Sequence, residues 1–164
     1  MGRSTGFTLI ELMVAIAVFA IVTLIAVPGF GRFFEVNRVH TQTNEVVTAL
    51  NAARSEAIRR AEAVSVITST SDEGPILCLS LDGDDCDTDP NQNGGDGMPV
   101  FLLNPSVTVA PVSWELGFDR GGFRLDGANA DEFCLQISAG PDGREMRTVR
   151  VSATGRIEAG RDGC

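Results

Sequence analysis

The sequence predicts an α+β fold in which one long N-terminal α-helix packs on a C-terminal antiparallel β-sheet domain. Three observations lead there. From Leu12 to Val27 every side chain but Thr23 is apolar; from Val36 to Ala61 apolar residues recur at three- and four-residue steps; beyond Glu62 that period gives way to short β-branched runs cut by turn residues. A length of 164 residues accommodates one ordinary domain and one long appendage, not two domains.

The first element starts abruptly. Met1 to Gly6 holds a single charge, Arg3, and the apolar stretch begins directly after Gly6. A secretory signal is cut after its apolar stretch. A cut here falls before it, so the hydrophobic segment is retained. As helix, residues 7–30 span about 36 Å at ~1.5 Å per residue, enough for a bilayer core of roughly 30 Å. Glu11 is the anomaly. A carboxylate near the middle of a membrane helix costs on the order of 3 kcal/mol, less towards an end, and is kept where it has a partner. The amine released by a cut between Gly6 and Phe7 is such a partner.

The run Gly6-Phe7-Thr8-Leu9-Ile10-Glu11-Leu12-Met13-Val14 resembles the class III signal of type IV prepilins and of type II secretion pseudopilins. The resemblance implies a leader at 1–6, removal of that leader by a membrane prepilin peptidase after Gly6, N-methylation of Phe7, and Glu11 as the assembly carboxylate that meets a neighbouring subunit's amine. It implies a type IV pilin-like fold, with 7–30 as the transmembrane and filament-core half of the helix. The expected location is the inner membrane, with the globular domain in the periplasm, before transfer into a pilus or pseudopilus. The expected partners are the peptidase and other major and minor pilins or pseudopilins.

Pro28 and Gly29 interrupt the apolar run, and a proline inside a helix removes one hydrogen bond and kinks it. The period resumes through Val36, Val39, Thr43, Val46, Val47, Leu50, Ala53, Ala57, Ile58 and Ala61, with Arg38, Glu45, Arg54, Glu56, Arg59, Arg60 and Glu62 largely opposite. Residues 31–63 therefore read as an amphipathic continuation of the same helix, packed on the sheet. Ala53-Arg54-Ser55-Glu56-Ala57-Ile58-Arg59-Arg60 is a run of good helix formers with Glu56 and Arg60 at i,i+4. It also resembles a segment of the FimT and FimU minor pilins and their GspH pseudopilin relatives.

Residues 64–164 read as a β-rich globular domain. Strands are expected over 64–68, 76–81, 100–103, 107–109, 114–118, 122–125, 133–138, 147–152 and 155–158, with Trp114 as core packing. Phe118-Asp119-Arg120-Gly121-Gly122 and Val149-Arg150-Val151-Ser152-Ala153-Thr154-Gly155-Arg156-Ile157 resemble two further segments of the GspH/FimT domain. Four cysteines, Cys78, Cys86, Cys134 and Cys164, match no zinc or CxxC spacing. In an exported domain an even number reads as two disulfides, with three pairings open; Cys134 with Cys164 and Cys78 with Cys86 are favoured.

The formal net charge is −9, and all 13 cationic side chains are Arg. Such a chain repels nucleic acid at long range, so any DNA contact needs a local basic patch. Arg144, Arg147, Arg150, Arg156 and Arg161 crowd the C-terminus. In certain FimT proteins a GRxR-like motif there contributes to DNA capture during natural transformation. Here Gly155-Arg156-Ile157-Glu158 puts glutamate in place of the second arginine, and Asp142, Glu145 and Asp162 dilute the patch, so Arg147, Arg150, Arg156 and Arg161 read as surface ion-pair formers before DNA ligands.

No cofactor is expected, with calcium the one candidate weighed. Asp89, Asn91 and Asn93, followed by Gly94 and with Asp96 nearby, fit the opening of a calcium loop. Val100 stands where the closing bidentate glutamate belongs, so a solvated acidic loop is preferred. His40, the single histidine, reads as a surface residue without a catalytic partner, and no nucleophile elbow, phosphate loop or acid pair appears. The chain is not expected to be an enzyme. The resemblance implies a minor type IV pilin placed at or near the pilus tip, where it helps prime assembly. The alternatives are a GspH-type pseudopilin of type II secretion and a DNA-capturing minor pilin.

Overall fold

A computed structural model describes residues 6–71, 74–81, 97–125, 132–139, 143 and 145–164. It forms two compact units, Met1–Glu35 and Val36–Cys164, and the 52-residue helix α1, Leu9–Arg60, contributes to both. The backbone stays helical through Pro28 and Gly29. Among the described residues no helix is long and apolar enough to cross a membrane, whereas the sequence expectation for 7–30 is a transmembrane half. The side chains at 25 and 27–30 lie outside the described set.

In the second unit α1 buries Val39, Val46, Ala49, Leu50, Ala53 and Ala57, one stripe at three- and four-residue steps. Two polar residues join it. Thr43 donates its hydroxyl to the Val39 carbonyl at 2.7 Å, and Gln42 Oε1 accepts the Asn104 N–H at 2.6 Å. Both are buried, a polar pair that a hydropathy stripe passes over at position 42. Ile58, expected in the stripe, is 52% exposed, because one residue past Ala57 rotates the side chain by about 100° around the helix. His40 is half-buried, not exposed. The helix ends at Arg60, and Ala61 takes the left-handed turn with φ 57°, the conformation in which helices commonly terminate.

The strands are β1 (Val64–Ser71), β2 (Gly74–Ser80), β3 (Val100–Leu102), β4 (Val107–Ala110), β5 (Glu115–Phe118), β6 (Glu132–Ala139), β7 (Glu145–Ser152) and β8 (Ile157–Gly160). They form not one sheet but two, each four-stranded: β3-β2-β1-β5 and β4-β6-β7-β8. All pairings are antiparallel. Alternation decides the inner faces. Leu135, Ile137 and Ala139 on β6 and Val149 and Val151 on β7 join Val64, Val66, Leu77, Leu116 and Phe118 and the α1 stripe in a single apolar cluster. The strand expected over 122–125 is reduced to one bridge, Phe118 with Arg124. The Asp119 carboxylate takes the N–H groups of Gly121 and Phe123, both at 2.8 Å, and that turn leaves too little extended chain to pair.

One junction joins all three layers. Arg124, nearly buried, donates Nη1 to the Val151 carbonyl at 2.7 Å and its N–H to the Ala153 carbonyl at 3.1 Å, which ties the return after β5 to the end of β7. Beside it Gly155, at φ +74°, lies so close to the chain at Gly122 that an added Cβ would stand 2.1 Å from the Gly122 carbonyl oxygen and 3.2 Å from Arg54 Nε on α1. Gly155→Ala therefore meets both a left-handed backbone penalty and a backbone clash. It is expected to lower stability by about 2–4 kcal/mol, read as a lower midpoint in denaturant unfolding of the full chain.

The last turn of α1 is held by charge. The hydrogen bond from Arg59, then that from Arg60, holds the Glu56 carboxyl below the ordinary carboxylate range; Arg60 Nε lies 2.9 Å from Oε2. A lowered folded value stabilises the fold above an unfolded glutamate's ~4.3, and the benefit is lost as pH falls through the folded value. Glu56→Gln is expected to lower the melting temperature slightly at neutral pH and to converge on the unsubstituted chain below about pH 4, so that the acid limb of melting temperature against pH flattens.

Candidate assembly interface

The N-terminal unit offers an apolar surface with no cover of its own. Phe7 is 84% exposed, Leu9 77% and Leu24 77%, and Ile10, Met13, Ile16 and Phe19 are exposed with them. A helix apolar all round is stable only inside a membrane or against other protein. Its start is set locally. Thr8 precedes the helix and accepts the Glu11 N–H on its hydroxyl at 3.3 Å, while its carbonyl accepts the Leu12 N–H at 3.2 Å, so Thr8 is the N-cap and Glu11 stands in the first turn. The Glu11 carboxylate has no hydrogen bond or ion pair among the described residues. An added Cβ on Gly6 would meet nothing within 4 Å, so no contact among the described residues requires glycine at that position. Gly6, Phe7 and Glu11 thus lie together at an exposed helix start, with the carboxylate available to another molecule.

In the globular unit the three recognisable segments, 53–60, 118–122 and 149–157, converge at the junction of Arg54, Gly122 and Gly155. Arg54 Nη2 reaches the Thr154 carbonyl at 3.4 Å, and a Cβ on Gly122 would meet Ile58 Cδ1 at 2.9 Å and Arg54 Nε at 3.0 Å. Their role is to close the fold. Arg124, which does as much, carries no pattern that marks it in the sequence; only its burial between the sheets does.

The C-terminal arginines do not share one face. Arg147 stands opposite Ile137 in the β6–β7 register, on the face of Leu135 and Val149, whereas Arg150 stands opposite Cys134 and Glu158 on the other. Arg150 Nε lies 3.8 Å from Glu132, its Nη2 donates to the Gly163 carbonyl at 2.8 Å, and Arg156 pairs with Glu158. Arg161 is exposed, and Arg144 lies outside the described residues. Two of the four DNA candidates thus have carboxylate partners and a third faces the other way, so no basic patch assembles from them.

Cys134 and Cys164 form a disulfide. With it, Thr148 Oγ1 donates to the Asp162 carbonyl at 2.8 Å, and the C-terminal segment lies across β7. Cys78 is disulfide-bonded as well, and its favoured partner, Cys86, lies outside the described residues, as do the calcium candidates Asp89, Asn91, Asn93 and Asp96. Among the described residues no group of three or more His, Cys, Asp or Glu side chains could hold a metal ion. With a sequence separation of 30 residues, removal of the terminal crosslink by Cys164→Ser is expected to cost about 3–4 kcal/mol of unfolding free energy on the chain-entropy model, measured by denaturant unfolding beside the unsubstituted chain.

Comparison with known proteins follows the same division. The family model of the type II transport protein GspH matches residues 42–155, and that of the prokaryotic N-terminal methylation motif matches residues 1–27. Two crystal forms of the type IV minor pilin FimU of Pseudomonas aeruginosa (strain PAO1) superpose on this chain, each with a TM-score of 0.53 over 74% of it. They are 21% and 22% identical and are covered over 91% and 87% of their own lengths. No curated protein matches significantly.

Proposed function

The chain belongs to the family of type II transport protein GspH, a family of type IV minor pilins and pseudopilins, and from that premise we propose that it enters a pilus in few copies, at or near the tip, and helps prime assembly. The observation that carries this reading is the helix start. A glycine that no contact among the described residues requires, an exposed Phe7 and a Glu11 carboxylate without a partner among the described residues are what a processed and assembled N-terminus needs. Prepilin peptidase cuts after Gly6 and methylates Phe7. The inner membrane holds the apolar helix through residues 7–30 until neighbouring subunits replace lipid around it. Inside the filament Glu11 meets the amine of an adjacent subunit, in surroundings where an unpaired charge is costly.

A second reading within the family, a minor pseudopilin of type II secretion, is supported by the match to the type II transport protein GspH over residues 42–155. The two differ in what is lost with the chain: surface pili in the first, secreted protein in the second. The disulfide-bonded cysteines and the Val27-Pro28-Gly29-Phe30 sequence favour the pilus.

Two substitutions separate processing from assembly. Gly6→Leu is expected to leave the leader attached, seen as unprocessed mass at the N-terminus. Glu11→Ala is expected to be cut normally yet to reach sheared filaments at roughly ten- to a hundredfold lower level, the equivalent of about 1.5–3 kcal/mol for a charge-assisted hydrogen bond. Undiminished incorporation of Glu11→Ala, read by immunoblot of the sheared fraction, would remove the basis of the amine pairing.

A further inference from the structure

Gly6, Phe7 and Thr8 lie outside any helix or strand, and α1 begins at Leu9. In an α-helix each N–H bonds the carbonyl four residues back, so the donor that would wind the helix one residue earlier, onto the Phe7 carbonyl, is the Glu11 N–H. Thr8 intercepts it. Its hydroxyl accepts the Glu11 N–H at 3.3 Å, and the helical ladder opens with the Leu12 N–H on the Thr8 carbonyl at 3.2 Å. The next donor back, the Ile10 N–H, would meet the Gly6 carbonyl. Among the described residues no N–H reaches the carbonyl of Gly6 or of Phe7.

The sequence before Thr8 offers the helix other places to start. Phe7 continues the apolar run, and Ser4 and Thr5 are themselves residues of the type that caps a helix. A helix capped at either would have the Gly6–Phe7 bond inside its first turn. Gly6 opposes that extension through the backbone freedom it loses on winding. Thr8 opposes it by taking the donor. Next to the core of the inner membrane little water is at hand for a first-turn N–H, so such a group is either capped or wound into a further turn.

We infer that Thr8 is a positioning residue for leader removal: by holding the Glu11 N–H it fixes the first helical residue at Leu9 and keeps the Gly6–Phe7 bond unwound. The inference rests on the processing proposed above. In that hydrolysis water adds to the Gly6 carbonyl carbon and the Gly6–Phe7 C–N bond breaks, leaving a carboxylate on Gly6 and a protonated amine on Phe7. An extended backbone offers its N–H and C=O groups to a binding cleft, whereas a helix has already spent them on itself. A wound Gly6 carbonyl would be occupied by the Ile10 N–H. Unwound, with Phe7 exposed beside it, it is open to attack. Thr8 acts through the helix start and not on the reacting atoms.

The test follows leader loss by pulse-chase of the full chain in its own cells, as the ratio of cut to uncut chain in the membrane fraction, for Thr8→Ser, Thr8→Asn, Thr8→Ala and Thr8→Val. Residue 8 lies outside the globular unit, Val36–Cys164, and the ratio does not depend on how much chain is made. Asn and Ser cap a helix at least as well as Thr, and Ala and Val do so far less. Thr8→Ser and Thr8→Asn are therefore expected to be cut at least as fast as the unsubstituted chain. Thr8→Val, which keeps the shape of threonine without its acceptor, and Thr8→Ala are expected to be cut about three- to tenfold more slowly, with Phe7 still the new first residue by mass. Either of them cut at the unsubstituted rate overturns the inference. So does a slow Thr8→Asn beside a fast Thr8→Ser, the pattern of an enzyme contact with the hydroxyl and not of a helix start. An unsubstituted chain that keeps residues 1–6 overturns the processing reading and this inference with it. A chain cut after Gly6 at a rate indifferent to residue 8 overturns this inference alone.

Discussion

Where Gly155 passes the Gly122 carbonyl, with no room for a Cβ on Gly155, the end of α1, the return after β5 and the turn between β7 and β8 are brought to one point. Each of those segments enters from a different layer. Arg124 fastens the same point with a charge-assisted bond to the Val151 carbonyl, stronger than a bond between neutral groups. The apolar cluster below supplies most of the driving force, since burial is roughly proportional to area and has no direction of its own. Its direction comes from this contact. A core of Val, Leu and Ile admits several ways to lay two sheets against a helix, whereas a backbone approach that only glycine permits admits few.

The junction also gives the recognisable segments of the globular unit a structural part. Residues 53–60, 118–122 and 149–157 are close-packing elements, and their arginines other than the exposed Arg120 are committed to carbonyls or carboxylates: Arg54 to Thr154, Arg59 and Arg60 to Glu56, Arg150 to the C-terminal segment, Arg156 to Glu158. The glycines divide in the same sense. Gly155 is demanded by the Gly122 carbonyl beside it, while an added Cβ on Gly6 would meet nothing within 4 Å among the described residues.

Much of this architecture was legible because it is written in local periods. The helix was readable from Val39, Val46, Leu50, Ala53 and Ala57, whose spacing needs no knowledge of what they touch. Most strands were readable from β-branched alternation, as in Phe133–Ser138. The segment 122–125 was misread because its residues suit a strand, yet Asp119 holds the preceding turn closed. Ile58 was misread because hydrophobicity does not report a residue's angle once the stripe is already complete. Gln42 and Arg124 were passed over for the opposite reason: a polar side chain declares its burial only through a partner distant in sequence.

What the sequence determined by itself was the order and kind of elements and the chemistry of the helix start, because Gly6, Phe7, Thr8 and Glu11 lie within one turn or so and act through local geometry. The division into two sheets, the convergence at Gly122 and Gly155, and the separation of Arg147 from Arg150 onto opposite faces were decided only by the tertiary structure. Strand partnership and register depend on residues dozens of positions apart meeting across a shared core, and no local period records which strand will lie beside which.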